Sequence, residues 1–146
     1  MNPELPDYSH ILDDFYHALS DCDRTKLHQT INHQFHDDCT VHLAHPFEDL
    51  TPQGLFLQAY SSLFSALPDL EHRQIIKLSG FGHQQSRWIG VCGYFCGTFM
   101  GPWLDIPPTG HFVTMRTHEF FRIQDDKIVE MQALWDIPHL MMQASA

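Results

Sequence analysis

The chain has 146 residues, of which 43% are hydrophobic and 18% charged, a balance that supports a globular domain and argues against disorder. Eighteen acidic against eight basic residues give a formal charge of -10, which repels phosphate backbones and anionic membrane surfaces; nucleic-acid and membrane partners are not expected. No apolar run approaches the roughly 20 residues that cross a bilayer, and Met1 to Tyr8 is polar and proline-containing, so neither signal peptide nor anchor is expected.

In chain order, Asp7 or Ser9 can cap a first helix whose apolar face is Ile11, Leu12, Phe15, Tyr16 and Leu19. Asp23 can cap a second, shorter helix carrying Leu27 and Ile31, and Cys39 to Leu43 reads as a strand. The third helix has Thr51 as cap and Pro52 at its first position, where a missing N–H costs nothing. Its stripe is Phe56, Tyr60, Leu63, Phe64 and Leu67, and Pro68 stops it. Leu70 to Leu78 alternates loosely, and Arg87 to Met100 is a long run rich in β-formers. Phe112 to Ile123 and Ile128 to Trp135 flank the polar turn Gln124-Asp125-Asp126-Lys127, a hairpin signal. Between the long strands, Gly101 to Gly110 carries three prolines and predicts a loop with an apolar face at Trp103 and Ile106; Pro138 to Gln143 can add a helical turn. Helices first and an antiparallel meander afterwards predict one α+β domain over 1–146, a curved sheet packed against three N-terminal helices around an apolar pocket. The four cysteines form no CxxC pair and are expected as reduced thiols of a cytoplasmic protein.

From Trp88 onwards the sequence resembles the SnoaL-like polyketide cyclase family of the nuclear transport factor 2-like superfamily. The carriers are Gly97, Gly101, Ile106-Pro107-Pro108-Thr109-Gly110, Arg122, Lys127-Ile128-Val129-Glu130 and Asp136. The resemblance implies a cone-shaped α+β fold, a hydrophobic cavity for a small apolar ligand, and a homodimer packed through the sheet's outer surface. It also implies aldol-type ring closure without metal or cofactor, with an Asp on the last strand as acid/base and a His two residues before it. Counted from Lys-Ile-Val-Glu, those positions are Ala133 and Met131, neither of which can carry a proton. The resemblance therefore leaves two readings open: an acid/base cyclase or isomerase that uses another group, or a non-catalytic binding protein.

The residues offer alternatives for the proton. A three-residue hairpin loop, with Asp126 left-handed, pairs Glu119 with Met131 and Thr117 with Ala133, all on the side the resemblance makes the pocket. A two-residue loop shifts the register by one and puts His118 there instead. A carboxylate among Phe120, Phe121 and Met131 suits a general acid/base, whereas pairing with Arg116 or Arg122 would make Glu119 a structural outer-face residue. His42 can hold a substrate oxygen or be structural, and His45, Tyr16, Trp103, Met131, Thr117 and Trp135 are candidate ligand contacts. Asp136 reads as a cap or as a second carboxylate at the cavity rim. His33-x-x-His36 and His42-x-x-His45 have chelating spacings, yet no third ligand stands at a motif distance, so no metal is expected.

Overall fold

A computed structural model describes residues 10–145. The proposed caps Asp7 and Ser9 lie outside the described residues. Helix α1 (His10–Ser20) buries Ile11, Leu12, Phe15, Tyr16 and Leu19. Helix α2 (Arg24–Gln34) starts where Asp23 accepts a hydrogen bond from the Lys26 N–H, and it buries Leu27 and Ile31. Two strands follow, β1 (Phe35–His42) and β2 (Asp49–Leu50).

The third helical run comprises α3 (Pro52–Gly54), a π-helical stretch Leu55–Tyr60, and α4 (Ser61–Ala66). Thr51 caps it through the Gly54 N–H, with Pro52 at the first position. Strands β3 (Glu71–Phe81), β4 (Arg87–Thr98), β5 (Phe112–Gln124) and β6 (Lys127–Trp135) make the meander, and α5 (Ile137–Ala144) closes the described chain. Asp136 accepts from the His139 N–H and so caps α5.

The six strands form one open sheet in the order β2-β1-β6-β5-β4-β3. The sheet is antiparallel as expected, except that β1 runs parallel to β6. A parallel pair needs a long connection, and everything from β2 to β5 supplies it. Helices cover the inner face of this cone-shaped α+β fold, where Leu12, Phe15, Leu27, Tyr60, Phe64, Phe95 and Phe121 pack together. The loop between β4 and β5 contains a single isolated bridge, Trp103–Ile106, which turns the apolar face of the loop inward.

The β5–β6 hairpin decides which side chains face the helices. The connection is a two-residue turn, with Gln124 paired to Lys127 and both Asp125 (φ 51°) and Asp126 (φ 58°) left-handed. Such a turn alone would bring His118 to the inner face. A bulge intervenes: Ile123 pairs with Ile128 but Arg122 pairs with Glu130, leaving Val129 as the extra residue. The added residue restores the parity, so Glu119 pairs with Ala133, Thr117 with Trp135 and Phe121 with Met131. Relative to the expected pairs the register is offset by two, which leaves every face unchanged, and His118 is exposed.

Candidate functional site

Glu119 is fully buried in the centre of the inner face. Its carboxylate accepts three hydrogen bonds: from the Tyr16 hydroxyl at 3.0 Å on Oε1, and from the Tyr60 hydroxyl and the Trp135 indole N–H, each at 3.2 Å, on Oε2. Each donor comes from a different element. Tyr16 lies on the inward stripe of α1, and Tyr60 ends the π-helical stretch, where the wider turn displaces the backbone from ordinary helical register. Trp135 is the last residue of β6.

His72, the second residue of β3, completes the cluster. Its Nε2 lies 3.3 Å from Thr117 Oγ1 and 3.8 Å from Glu119 Oε1, the second distance being too long for a hydrogen bond. Its Nδ1 is buried without a partner. The ring lies against Tyr16 at 4.7 Å between centroids and meets Phe95 edge-on at 5.0 Å. Gly93 leaves room for it, since a Cβ there would come within 3.1 Å of His72 Cε1 and 2.2 Å of the Arg73 carbonyl oxygen.

Burial governs the protonation states. Loss of water pushes the Glu119 carboxyl above the usual range, while the bonds from Trp135, Tyr16 and Tyr60 pull it partly back. Burial, and then the nearby Glu119 charge, push both tyrosine hydroxyls well up, so they remain donors. Burial lowers the His72 imidazole to about 4. The close approach of His72 to Glu119 is therefore a contact between a neutral ring and a carboxyl group rather than an ion pair. A carboxyl group whose pKa is raised by burial holds its proton more tightly than a solvated one does.

Of the residues singled out from sequence, the structure brings Tyr16, Thr117, Glu119 and Trp135 together, with Met131 buried on the same face. His42 is elsewhere. It pairs with Gln132 on the outer side of the sheet, and its Nδ1 lies 2.6 Å from Asp49 Oδ1. Strand alternation explains this, because the inward neighbour Val41 takes the core position. His45 is exposed beside Glu48. Trp103 is buried behind Trp135, its indole N–H donating to Ser62 Oγ at 3.0 Å. The other helix-proximal histidines are spent separately: His28 stacks on Phe56, and the His36 ring accepts from the Asp38 N–H. Among the described residues, no group of three or more His, Cys, Asp or Glu side chains is arranged to hold a metal ion.

Two members of the cluster were not singled out as functional from sequence. In the sequence Tyr60 is one residue of an apolar helical stripe, which marks direction and not what a hydroxyl meets. His72 had only one signal, a polar residue at the head of a loosely alternating strand.

A surface cavity of about 570 Å³ adjoins the cluster, walled by Ala44, His45, Leu104, Ile106, Trp135 and Ile137. Trp135 is shared: it is among the residues lining the cavity, and its indole N–H donates to Glu119. A larger hollow of about 790 Å³ lies near the β5–β6 hairpin, away from Glu119, and its Arg122 is engaged with Glu130 at 3.1 Å.

Residues 11–144 match the model of the family described as SnoaL-like polyketide cyclase. Among solved structures, the chain is similar to IdmH of Streptomyces antibioticus, proposed to be a polyketide cyclase (TM-score 0.77, 18% identity, covering 96% of this chain and 99% of that one). It is also similar to AclR of Streptomyces galilaeus, proposed to be a hydroxylase (TM-score 0.79, 14% identity, 97% and 87% covered). A third similar structure is TsrD of Streptomyces laurentii (TM-score 0.75, 19% identity, 99% of each chain covered). At these identities the likeness is one of fold. A comparison with curated proteins finds no match.

Proposed function

The chain belongs to the SnoaL-like polyketide cyclase family, and from that premise we propose a cofactor-independent acid/base enzyme acting on a small, apolar, carbonyl-bearing molecule. Glu119 is the group that moves the proton. The observation that carries this reading is one rung of the β5–β6 ladder: Glu119 pairs directly with Ala133, the position that the family resemblance gives to an acid/base Asp. Paired residues on one face hold their Cβ atoms about 5 Å apart. On this reading a carboxyl group on the neighbouring strand stands about 5 Å from that position and takes over its role.

In this reading the Glu119 carboxylate removes a proton from the carbon beside the substrate carbonyl and later returns it to the product oxygen. Tyr16, Tyr60 and Trp135 hold the carboxylate in place and replace the water it has lost. Moving a donor from the carboxylate to the developing enolate oxygen would stabilise the charge as it shifts to the substrate. His42, facing Asp49 on the outer surface, has no part in it. A cytoplasmic single domain that pairs into a homodimer through the outer face of the sheet fits the exposed Phe112, Phe120 and Leu134 there.

The test is solvent exchange at carbon. With 1-tetralone in deuterated buffer, wild-type protein is expected to accelerate exchange of the α-protons, and Glu119→Gln to lose about 10²–10⁴-fold of that acceleration. Exchange at the same rate in both proteins would remove Glu119 from the chemistry.

A non-catalytic binding protein is the second reading, and two observations favour it. Met131 and Ala133 are apolar, and the Glu119 carboxylate already has three donors. On that reading 1-tetralone binds without any gain in exchange.

A further inference from the structure

Nearly every cationic side chain of this acidic protein is engaged. Arg73, Lys77 and Arg122 pair with carboxylates, Lys127 donates to the His33 carbonyl, Arg24 meets Ser65 and Phe64, and Arg87 lies over Phe81. Among the described residues only Lys26 and Arg116 have no such partner, and of these two Arg116 lines a cavity. We propose that a groove running from Arg116 across Leu134 and Pro138 binds a free, medium-chain carboxylic acid, with the carboxylate at Arg116 and the alkyl chain beside α5. The inference is independent of any chemistry at Glu119.

Strand alternation sets the head of the groove. Arg116 and His118 alternate with the buried Met115, Thr117 and Glu119, so both project from the outer face of β5, with Cα atoms roughly 7 Å apart. His118 pairs with Leu134 on β6, and the Asp136 N–H donates to the Arg116 carbonyl, which brings the start of α5 beside them. A hollow of about 310 Å³ is walled there by Arg116, His118, Leu134 and Pro138. Asp136 also lines it, but its carboxylate caps α5 through the His139 N–H and forms no ion pair with Arg116. The His118 ring has no partner among the described residues and offers an N–H in either tautomer.

The cavity of about 570 Å³ continues the groove, since it shares Leu134, Trp135 and Pro138 with the first hollow. Apart from His45 and Asp105 its walls are apolar, with Ala44, Leu104, Ile106 and Met141 available to a hydrocarbon tail. An alkyl chain laid across the exposed Leu134 passes from one hollow to the other. The two ends differ in charge: Arg116 attracts a carboxylate and Asp105 repels one, which fixes the direction of the ligand. In a protein of formal charge -10, an unpaired guanidinium at the end of an apolar channel gives an anion with a tail something to gain at both ends. Arg presents two parallel donors to a carboxylate, which an alcohol of the same length cannot use. Leu134 also belongs to the face through which two copies would pair, so a bound acid and a second copy compete for it.

The experiment is titration calorimetry on the full chain at about pH 8, where a carboxylic acid is ionised. Wild type should bind octanoate about fivefold more tightly than 1-octanol, the worth of a partly exposed charged hydrogen bond. Decanoate should bind more tightly than octanoate, by up to about fourfold for each added methylene. Arg116→Gln should bring octanoate and 1-octanol to within about twofold. Met141→Ser, which removes part of the tail wall, should weaken decanoate by about threefold. Arg116 and Met141 are both exposed, so neither change threatens the fold. Glu119→Gln should leave octanoate affinity unchanged, whether or not it abolishes carbon exchange; a fall in affinity there would move the acid to the interior and overturn the proposal. Equal affinity for octanoate and 1-octanol in wild type, a preference that survives Arg116→Gln, no gain from octanoate to decanoate, or no binding of either acid would each overturn it as well.

Discussion

Strand β5 has two faces with opposite solutions to the same problem. On the inner face Val113, Met115, Thr117, Glu119, Phe121 and Ile123 are all buried, and the two polar members are tied into a network of named partners. On the outer face Phe112 (60% exposed) and Phe120 (48%) are interspersed with His118 and Arg122, and Leu134 of β6 (62%) extends the apolar surface. The side dry enough to favour hydrocarbon holds a carboxyl group, and the wet side displays aromatic rings. Burying a polar group is costly unless it is hydrogen-bonded, so Thr117 and Glu119 are constrained by the partners they meet on the inner face. Single exposed apolar residues are tolerated, and the outer face is constrained only if a partner covers it.

The contrast breaks most sharply at Glu119. Glu119→Ala leaves the Tyr16, Tyr60 and Trp135 donors without an acceptor beside a new cavity, and urea unfolding should register a loss of about 4 kcal/mol. A loss below about 1 kcal/mol would mean that the donors find other partners, as surface groups do.

Acid titration of His72 comes next. Its folded pKa of about 4 lies below the ordinary 6.5, so between those values the unfolded chain binds a proton that the native chain refuses. Stability from this group therefore rises with pH across that window, by about 3 kcal/mol in total. Glu119, whose folded pKa is raised, acts in the opposite sense, contributing stability at low pH that is lost as pH rises through its own titration. Comparing denaturation from pH 4 to 6.5 in wild type and His72→Phe isolates the histidine: the difference between them should grow with pH. Parallel curves would mean that the ring is protonated in the folded protein.

The smallest effect belongs to the outer face. Leu134→Gln should change unfolding of the separate chain by no more than about 0.5 kcal/mol. If the outer face pairs two copies, sedimentation of the same variant should move towards monomer; an unchanged sedimentation profile would sharpen the contrast by making that face plain surface.

Much of this arrangement is legible in the amino-acid sequence. The Thr51-Pro52 start, the stripes of α1 and of the third helical run, and the alternation of β5 are local patterns, set by backbone sterics and by the period at which side chains return to one face. Together with the face that the family resemblance makes the pocket, they made Tyr16, Thr117, Glu119 and Trp135 candidates. The alternation along β5 separated Glu119 from His118 without saying which of the two turned inward, because the answer depended on the hairpin. There the turn and the bulge at Val129 each shift the parity by one and cancel, a sum that no stretch of sequence displays.

The remaining features depend on distance along the chain. His72 and Thr117 are 45 positions apart, and Tyr16 and Glu119 are 103 apart. Much of β3 is exposed and carries a register shift between Gln74 and Ile76, so no alternation marked His72 as inward. His42 sits one residue past the buried Val41, and the parallel pairing of β1 with β6 set its face. Local preferences thus determined which elements form and which residues can point inward. Only the tertiary structure decided which buried polar groups meet, because a hydrogen bond needs both partners within about 3 Å and folding alone brings together residues so far apart in sequence.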